Sequence, residues 1–573
     1  MAGKTCLICN CEGTMAPDTK ALAKVDGLDV SRVHTQLCRA QLGSFEAALA
    51  IDDGALVACT QEAPLFEEVA AETGRSAQFV NIRETAGWSD EGAQSGPKMA
   101  ALLAGAAYES TPAKAKDILS DGLCLIYGAG QAAVEMAQLL SSRLSVTLML
   151  TDASDVILPP LMDFPVFRGR ISTLTGSLGG FALTVDDYAP LRPASRGELV
   201  FEDPRNGATS NCSLVLDISG GVPLVTGAHK RDGYEWVDPG DPAAVLRAAF
   251  KLSDLVGTFE KPIYVEYSQN SCAHARSQIT GCTRCLDACP AGAITENGDG
   301  VAVDSGICGG CGACAAVCPT DAMTYTYPAR PDRLGQAQTM LSAYRGAGGK
   351  DPVMLIHAEA GDQLIGAMAR FGRGLPARVI PWARHNVTAA GHVELCGLIA
   401  AGSSSVVIHV DPMHAQDLAP LQTEVALANA ILHGLGVGNQ RITLVETADP
   451  DVLETALWTM EPHTARPAKA ITDTGSVRDL SRLIFTGLSD GRTAEPFALP
   501  ADAPYGSVAI DGDACTLCMA CTSACPTGAI MDTPGEPHLR FAESACVQCG
   551  LCVSTCPEKA LTLDPRLNLS PDA

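Results

Sequence analysis

The sequence predicts a multidomain α/β protein in which parallel-sheet domains alternate with two small cysteine-rich modules. Its 573 residues are too many for one hydrophobic core and point to about three to five domains. Apolar runs of strand length alternate with helical stretches over much of the chain, the pattern of βα units around a buried parallel sheet. In two regions cysteines instead recur at intervals of three and close on Cys-Pro, a spacing suited to metal clusters and not to a packed core.

Composition narrows the class. A hydrophobic content of 47% with 18% charged residues describes a folded chain. Forty Lys and Arg against 65 Asp and Glu leave a net charge of -25, which disfavours nucleic acid and anionic membranes and suits docking to basic patches on redox proteins. No charged segment followed by an apolar one comes after Met1, and no apolar run approaches the roughly 18 residues of a membrane helix. A cytoplasmic protein with metal-bound thiolates is therefore the simplest account of a chain with 24 cysteines, and no direct membrane insertion is expected.

Residues 1–117 form the first unit. Apolar runs at 55–58 and 79–82 read as strands and the stretches 44–50 and 64–72 as helices. Cys6, Cys9 and Cys11 in TCLICNCEGTM, Cys38 in LCRAQLG and Cys59 in VACTQEAP make a dense set beside polar turn residues. Unligated core cysteines are one account of them; a 4Fe-4S cluster is the other, and we assign it Cys9, Cys11, Cys38 and Cys59, with Cys6 spare.

Residues 118–262 open with GLCLIYGAGQAAVEMAQLL and SVTLMLTDASD, a strand, a glycine turn, a helix and a second strand. Gly128, Gly130 and Ala133 fit G-x-G-x-x-A, and Asp152 ends the second strand where an acid binds a ribose hydroxyl. This is a Rossmann-like domain, although the same small residues also serve strand–helix packing alone. The remainder is strand-rich, with no paired carboxylates or nucleophile elbow, so no catalytic residue is assigned; His229 is expected to be a surface or structural histidine.

Residues 263–330 and 500–573 are read together as ferredoxin modules of the bacterial type with two 4Fe-4S clusters each. The second copy is regular: Cys515, Cys518, Cys521, Cys525-Pro526, then Cys546, Cys549, Cys552, Cys556-Pro557. In this spacing three cysteines hold one cubane and the fourth, before proline, holds the other. One cluster therefore takes Cys515, Cys518, Cys521 and Cys556, the other Cys546, Cys549, Cys552 and Cys525. A zinc ribbon would leave the third cysteine without a role.

The first copy is regular over Cys308, Cys311, Cys314 and Cys318-Pro319, but Ile279 stands where a cysteine should precede Cys282, Cys285 and Cys289-Pro290. Cys272 lies four residues after Ser268, as Cys308 and Cys515 lie four after Asp304 and Asp511. AHARSQI thus reads as a seven-residue insertion after a displaced ligand. Crossed ligation gives Cys272, Cys282, Cys285 and Cys318 to one cluster and Cys308, Cys311, Cys314 and Cys289 to the other; a three-iron cluster, or His274 as ligand, is the alternative. CPAGAIT, CPTDAMT, CPTGAIM and CPEKALT stand in register, an internal repeat in which each module is a pair of short helices covered by strand pairs.

Residues 331–499 hold a further α/β domain and a connector. VMLIH, RVIPW, SSVVIHV and RITLVE alternate with helices, one of them over residues 415–435. His357, His385, His392, His409, His414 and His433 lack metal-ligand spacing and are expected to be structural. Residues 466–504, polar and ending in prolines, read as the connector.

CNCEGTM, LCRAQLG, VACTQEAPLF, GAGQAAVEMA and RISTLTGSLGGFALTV, in this order with both ferredoxin modules, resemble the A subunit of heterodisulfide reductases over most of residues 1–330 and 500–573. Residues 353–410 are similar to the hydrogenase delta subunit that partners such reductases, with only Cys396 of its cluster cysteines. The resemblance implies an N-terminal cluster on Cys9, Cys11, Cys38 and Cys59 and FAD at the Rossmann-like unit. Here VILPPLMDFPVFRGR follows the Asp152 region in place of the family's glycine-rich flavin loop. The leading expectation is an electron-transfer subunit with four or five 4Fe-4S clusters between an oxidoreductase, such as a formate dehydrogenase or hydrogenase, and another carrier, in a complex of redox proteins. The alternatives are an FAD-dependent, electron-splitting reductase subunit and an iron–sulfur scaffold or assembly protein.

Overall fold

The computed structural model describes residues 4–30, 32–51, 54–225, 231–490, 495–533 and 535–570, with the backbone alone at 414–416 and 537. His229 and the side chain of His414 thus lie outside the described residues. The fold is mixed α/β with parallel sheets, as its alternating apolar runs require.

In the N-terminal unit the strand Lys4–Cys9 pairs in parallel with Leu28–Asp29, Val33–His34 and Ala55–Val57, and Ala77–Phe79 continues the sheet. Helices Leu42–Ile51 and Ala63–Glu72 cover it with Phe45 and Phe66, ring centroids 4.9 Å apart. The helix Gly96–Ala106 leaves this unit to pack on Arg330–Gly346, so the N-terminal unit and the domain around 353–446 share one apolar core. The fully buried Lys98 fastens the same seam, donating from Nζ to the carbonyls of Leu375 and Pro376.

The second unit is a seven-stranded sheet. Val166–Thr175, Ser145–Asp152, Leu123–Ala129, Leu214–Ile218 and Tyr234–Trp236 run parallel, and Phe181–Pro190 and Ala208–Cys212 extend it antiparallel. The expected strand, turn, helix and strand are Leu123–Ala129, Gly130–Leu140 and Ser145–Asp152.

The domain after the first module has the strand order Val379–Ala383, Val353–His357, Ser405–Val410, Ile442–Glu446, all parallel. The helix expected over 415–435 is Ala419–Gly434, preceded by the 3-10 turn Pro412–Asp417. The stretch read as a bare connector contains the helix Val477–Leu488, with Leu480, Ile484, Phe485 and Leu488 buried in the domain core. That stripe, at spacings of four, one and three, is the apolar face of an amphipathic helix, hidden in sequence by Ser481, Arg482 and Thr486 between its members.

Each module has two short helices and antiparallel strand pairs. In the first, the helices are Arg284–Asp287 and Ala313–Ala316, with Val265–Tyr267 on Met323–Tyr325 and Ile294–Asn297 on Gly300–Val303. In the second they are Ala520–Ala524 and Leu551–Thr555, with Gly506–Ile510 on Leu561–Leu567 and Ile530–Thr533 on Glu536–Phe541.

Candidate iron–sulfur sites

Parallel strands bring their carboxyl ends to one side of a sheet, and ligands gather there. Cys9 ends its strand, Cys38 follows Val33–His34 and Cys59 follows Ala55–Val57. With Cys11 they line one cavity of about 340 Å³, together with Arg83, Glu84, Gln61 and Trp88. Cys11, Glu12 and Gly13 all have left-handed backbone, at φ 49°, 58° and 80°, a costly path for the first two that turns the chain around the cavity. Cys6 points elsewhere: it is buried in the apolar core, and burial pushes its thiol up to about 12.

Two charged groups face these thiols. Arg83 donates from Nη1 to Cys11 Sγ at 3.3 Å and lies 4.3 Å from the Trp88 ring centroid. Glu84 bonds both Arg83 and Arg370; burial would raise its carboxyl, but the two guanidiniums hold it below the usual range.

The first module sorts its thiols into two sets. Burial raises Cys282 and Cys285, and Cys318 and Cys272 raise them further, Cys285 to about 12. Cys311 is pushed up to about 11 by burial and then by Cys289 and Cys308, and Cys314 goes well above its ordinary value by burial and then by Cys311, Cys308 and Cys289. Cys272, Cys282, Cys285 and Cys318 are thus neighbours, as are Cys308, Cys311, Cys314 and Cys289. The His274 ring bonds the Cys282 carbonyl through Nδ1 at 3.0 Å, and its Nε2 lies 3.9 Å from Glu296.

The second module repeats the crossing. Burial raises Cys521, with Cys518, Cys515 and Cys556 adding to it. Cys549 reaches about 11 and Cys552 about 12 by burial, with Cys525 and Cys546 among the contributors to both. So many thiols crowded together resist joint ionisation unless a cation compensates.

Backbone amides are aimed at the sulfurs after each Cys-Pro turn. Ala293, Ala529 and Ala560 donate to Cys289, Cys525 and Cys556 at 3.3, 3.2 and 3.4 Å, and Met323 donates to Cys318 at 3.4 Å. At Cys525 burial acts upward, but the amides of Ile530, Thr527 and Ala529 together with the Thr527 hydroxyl outweigh it and lower the thiol. In three of the four turns the donor is the alanine of the repeated CP-x-x-A and in the first module's second turn it is the next residue, Met323; Ala293, Ala322, Ala529 and Ala560 are all buried. Sequence reading missed Arg83 and Gln548, whose Nε2 donates to Cys546 Sγ at 3.3 Å; neither lies in a spacing motif.

Residues 280–322 and 514–561 match family models described as the 4Fe-4S dicluster domain. The two matches mark an iron–sulfur protein. They cover the modules alone, and the first begins beyond Cys272 and the insertion. No curated protein matches the chain. The thiol sets fit the cubane on their own chemistry, since four sulfurs with N–H donors directed at them suit a cluster whose sulfurs accept hydrogen bonds. Among the described residues, no group of three or more His, Cys, Asp or Glu is drawn together around a single-ion site.

The dinucleotide positions are differently placed. A Cβ on Gly128 would stand 2.8 Å from Ile218 and 2.9 Å from Ala133, so this glycine and alanine close the strand–helix packing. Gly130 makes the turn with φ +64° into open space. Asp152 is on the surface, its carboxylate accepting from Ser154, and lines a different cavity with Arg168 and Phe201. The Ile157 amide bonds Gln131 Oε1 at 2.9 Å, tying the following chain across the first turn of the helix.

Five histidines of the domain after the first module make hydrogen bonds within the fold. Tyr505 donates to His392 Nε2 while Nδ1 faces Glu424; His409 Nε2 donates to the Thr447 carbonyl; His385 Nε2 donates to that of Gly309; and His433 meets Asn439. His357 is buried, its Nδ1 at the Ala358 carbonyl. Cys396 is buried in the apolar core, where burial pushes its thiol upward.

Proposed function

We propose that the chain is an electron-transfer subunit relaying electrons through four or five 4Fe-4S clusters between a cytoplasmic oxidoreductase, such as a formate dehydrogenase or hydrogenase, and another carrier. The observation that carries this reading is the crossed grouping of sixteen module cysteines into four thiol sets with amide donors on their Cys-Pro sulfurs. A bound cubane takes up and returns one electron without bond rearrangement. The chain's own residues gather the thiols, direct N–H groups at sulfur and keep water from most of it, while the positive charge of a bound cluster would offset their reluctance to ionise. Cys272 joins the set of Cys282, Cys285 and Cys318; Cys9, Cys11, Cys38 and Cys59 would hold the fifth cluster. The net charge of -25 supports docking on basic faces of redox partners.

A second reading, an FAD-dependent heterodisulfide reductase-like subunit on a Rossmann-like domain, has one structural support. Open space at Gly130 precedes a helix start without a side-chain cap, the kind of place where a pyrophosphate binds. Iron and flavin analysis of anaerobically purified protein tests both. Roughly 16 to 20 irons per chain without flavin is expected; stoichiometric FAD favours the second reading, and clusters that pass readily to apo-acceptors overturn both in favour of a scaffold.

A further inference from the structure

The insertion at residues 273–279 is a built element. Ala275–Arg276 pairs antiparallel with Ile279–Thr280, and the turn between them places Ser277 and Gln278 at φ 52° and 68°, the left-handed pair of a two-residue hairpin turn. Its base is sewn to the cluster loop. Gly281 N–H donates to His274 O at 2.6 Å, Cys282 N–H donates to Ala273 O at 3.0 Å, and His274 Nδ1 donates back to the Cys282 carbonyl. Its other side meets the second module. The strand Ile279–Thr280 packs on the helix Leu551–Thr555, and a Cβ on Gly281 would stand 2.5 Å from Leu551 Cγ and 3.0 Å from Ala273 O. Leu551 is fully buried.

The contact stands close to thiols of both modules: Gly281 immediately precedes Cys282, and Leu551 lies between Cys549 and Cys552. Cys549 stands with Cys546, Cys552 and Cys525, and Cys282 with Cys272, Cys285 and Cys318.

We infer that the 273–279 hairpin is the docking element that seats the second ferredoxin module on the first, so that these two thiol sets face each other and one electron at a time crosses between modules at the Gly281–Leu551 contact. The inference rests on the electron-transfer reading above. No bond forms or breaks: the donor set's cluster is oxidised by one electron and the acceptor set's is reduced by one.

The sequence offers a clean test. Deleting residues 273–279 leaves Cys272-Thr280-Gly281-Cys282-Thr283-Arg284-Cys285, the spacing of Cys515, Cys518 and Cys521. In the regular loops the residue before the second cysteine is left-handed, as at Gly310, Leu517 and Gln548. Gly281 would stand at that position and meets its demand without strain. Full-length protein with this deletion, and full-length Gly281→Val with the hairpin kept, are compared with wild type after stepwise reduction with dithionite. Iron per chain reads cluster content, and spin–spin interaction between reduced clusters reads the junction. Wild-type iron content in the variants with loss of the inter-module interaction is expected. Intact cubanes with an unchanged interaction in both variants would overturn the junction and leave the cluster reading standing, whereas wild-type protein without cubane signals overturns the cluster reading itself. If the deletion alone loses iron, Gly281→Val decides, because it alters no ligand and no spacing.

Discussion

At the residue scale, the sites differ in what faces their sulfurs, and this difference sets their potentials. An N–H donor stabilises the more negative, reduced cluster and raises its potential. Arg83 supplies a charged donor to Cys11. Arg83→Gln is expected to lower the midpoint potential of the N-terminal centre in a redox titration followed by electron paramagnetic resonance, leaving the module centres unmoved. Cys272→Ala is expected to cost the first module the intact signal of one cubane, with less iron per chain; full iron retention would instead point to another ligand. The place of Cys272 beside Cys282 and Cys285 follows from counting from the preceding strand in two regular copies, which a hairpin between these cysteines does not disturb. Arg83 was not legible, because it reaches its sulfur across 72 residues of fold, a distance that no local spacing encodes.

At the element scale, the cluster loops depend on left-handed turns. Gly312 has φ +77°, and a Cβ there would meet Ala389 at 2.5 Å and Tyr325 at 3.0 Å. Gly312→Ala is therefore expected to destabilise the first module by about 1–3 kcal/mol and to loosen its seat on the turn Val387–Ala389, read as a lower denaturant midpoint at matched iron content. Strand positions in the 350–460 region follow from apolar runs alone, since a parallel sheet is buried on both faces. The helix Gly96–Ala106 was not legible as an inter-domain element. Its apolar residues look like those of any core helix, and only the fold sets Gly105 against Met340.

At the scale of the whole molecule, a buried ionic triad of the α/β domain meets the first module through Arg333, which donates from Nη1 to the Pro328 carbonyl at 3.0 Å and lies 5.4 Å from the Tyr325 ring centroid. Glu394 bonds Arg333 Nε at 3.0 Å and Arg384 Nη1 at 2.7 Å, while the Tyr325 hydroxyl donates to Gly310 O in the cluster loop. Burial alone would raise the Glu394 carboxyl, but Arg333 and Arg384 lower it to about 2 from an ordinary 4.5. A depressed folded value contributes stability that is fully present above the unfolded value and is lost as pH falls through the folded one. Wild-type stability should therefore decline between about pH 4.5 and 2, and Glu394→Gln should flatten that decline while costing about 3–5 kcal/mol at neutral pH, because it leaves two buried guanidiniums short of a charge. Trp382, whose ring centroid lies 4.5 Å from the Arg384 guanidinium, is a fluorescent reporter of this unfolding.

Of all the cysteines, Cys518 alone is exposed. Dioxygen in solution therefore meets the Cys515, Cys518, Cys521 and Cys556 set before it reaches sulfurs that are buried or half-buried. On exposure to air the brown colour should bleach in stages, an early loss from the C-terminal module followed by a slower one from the other sets. Cys518 is where aerobic damage, and the need for repair, would begin.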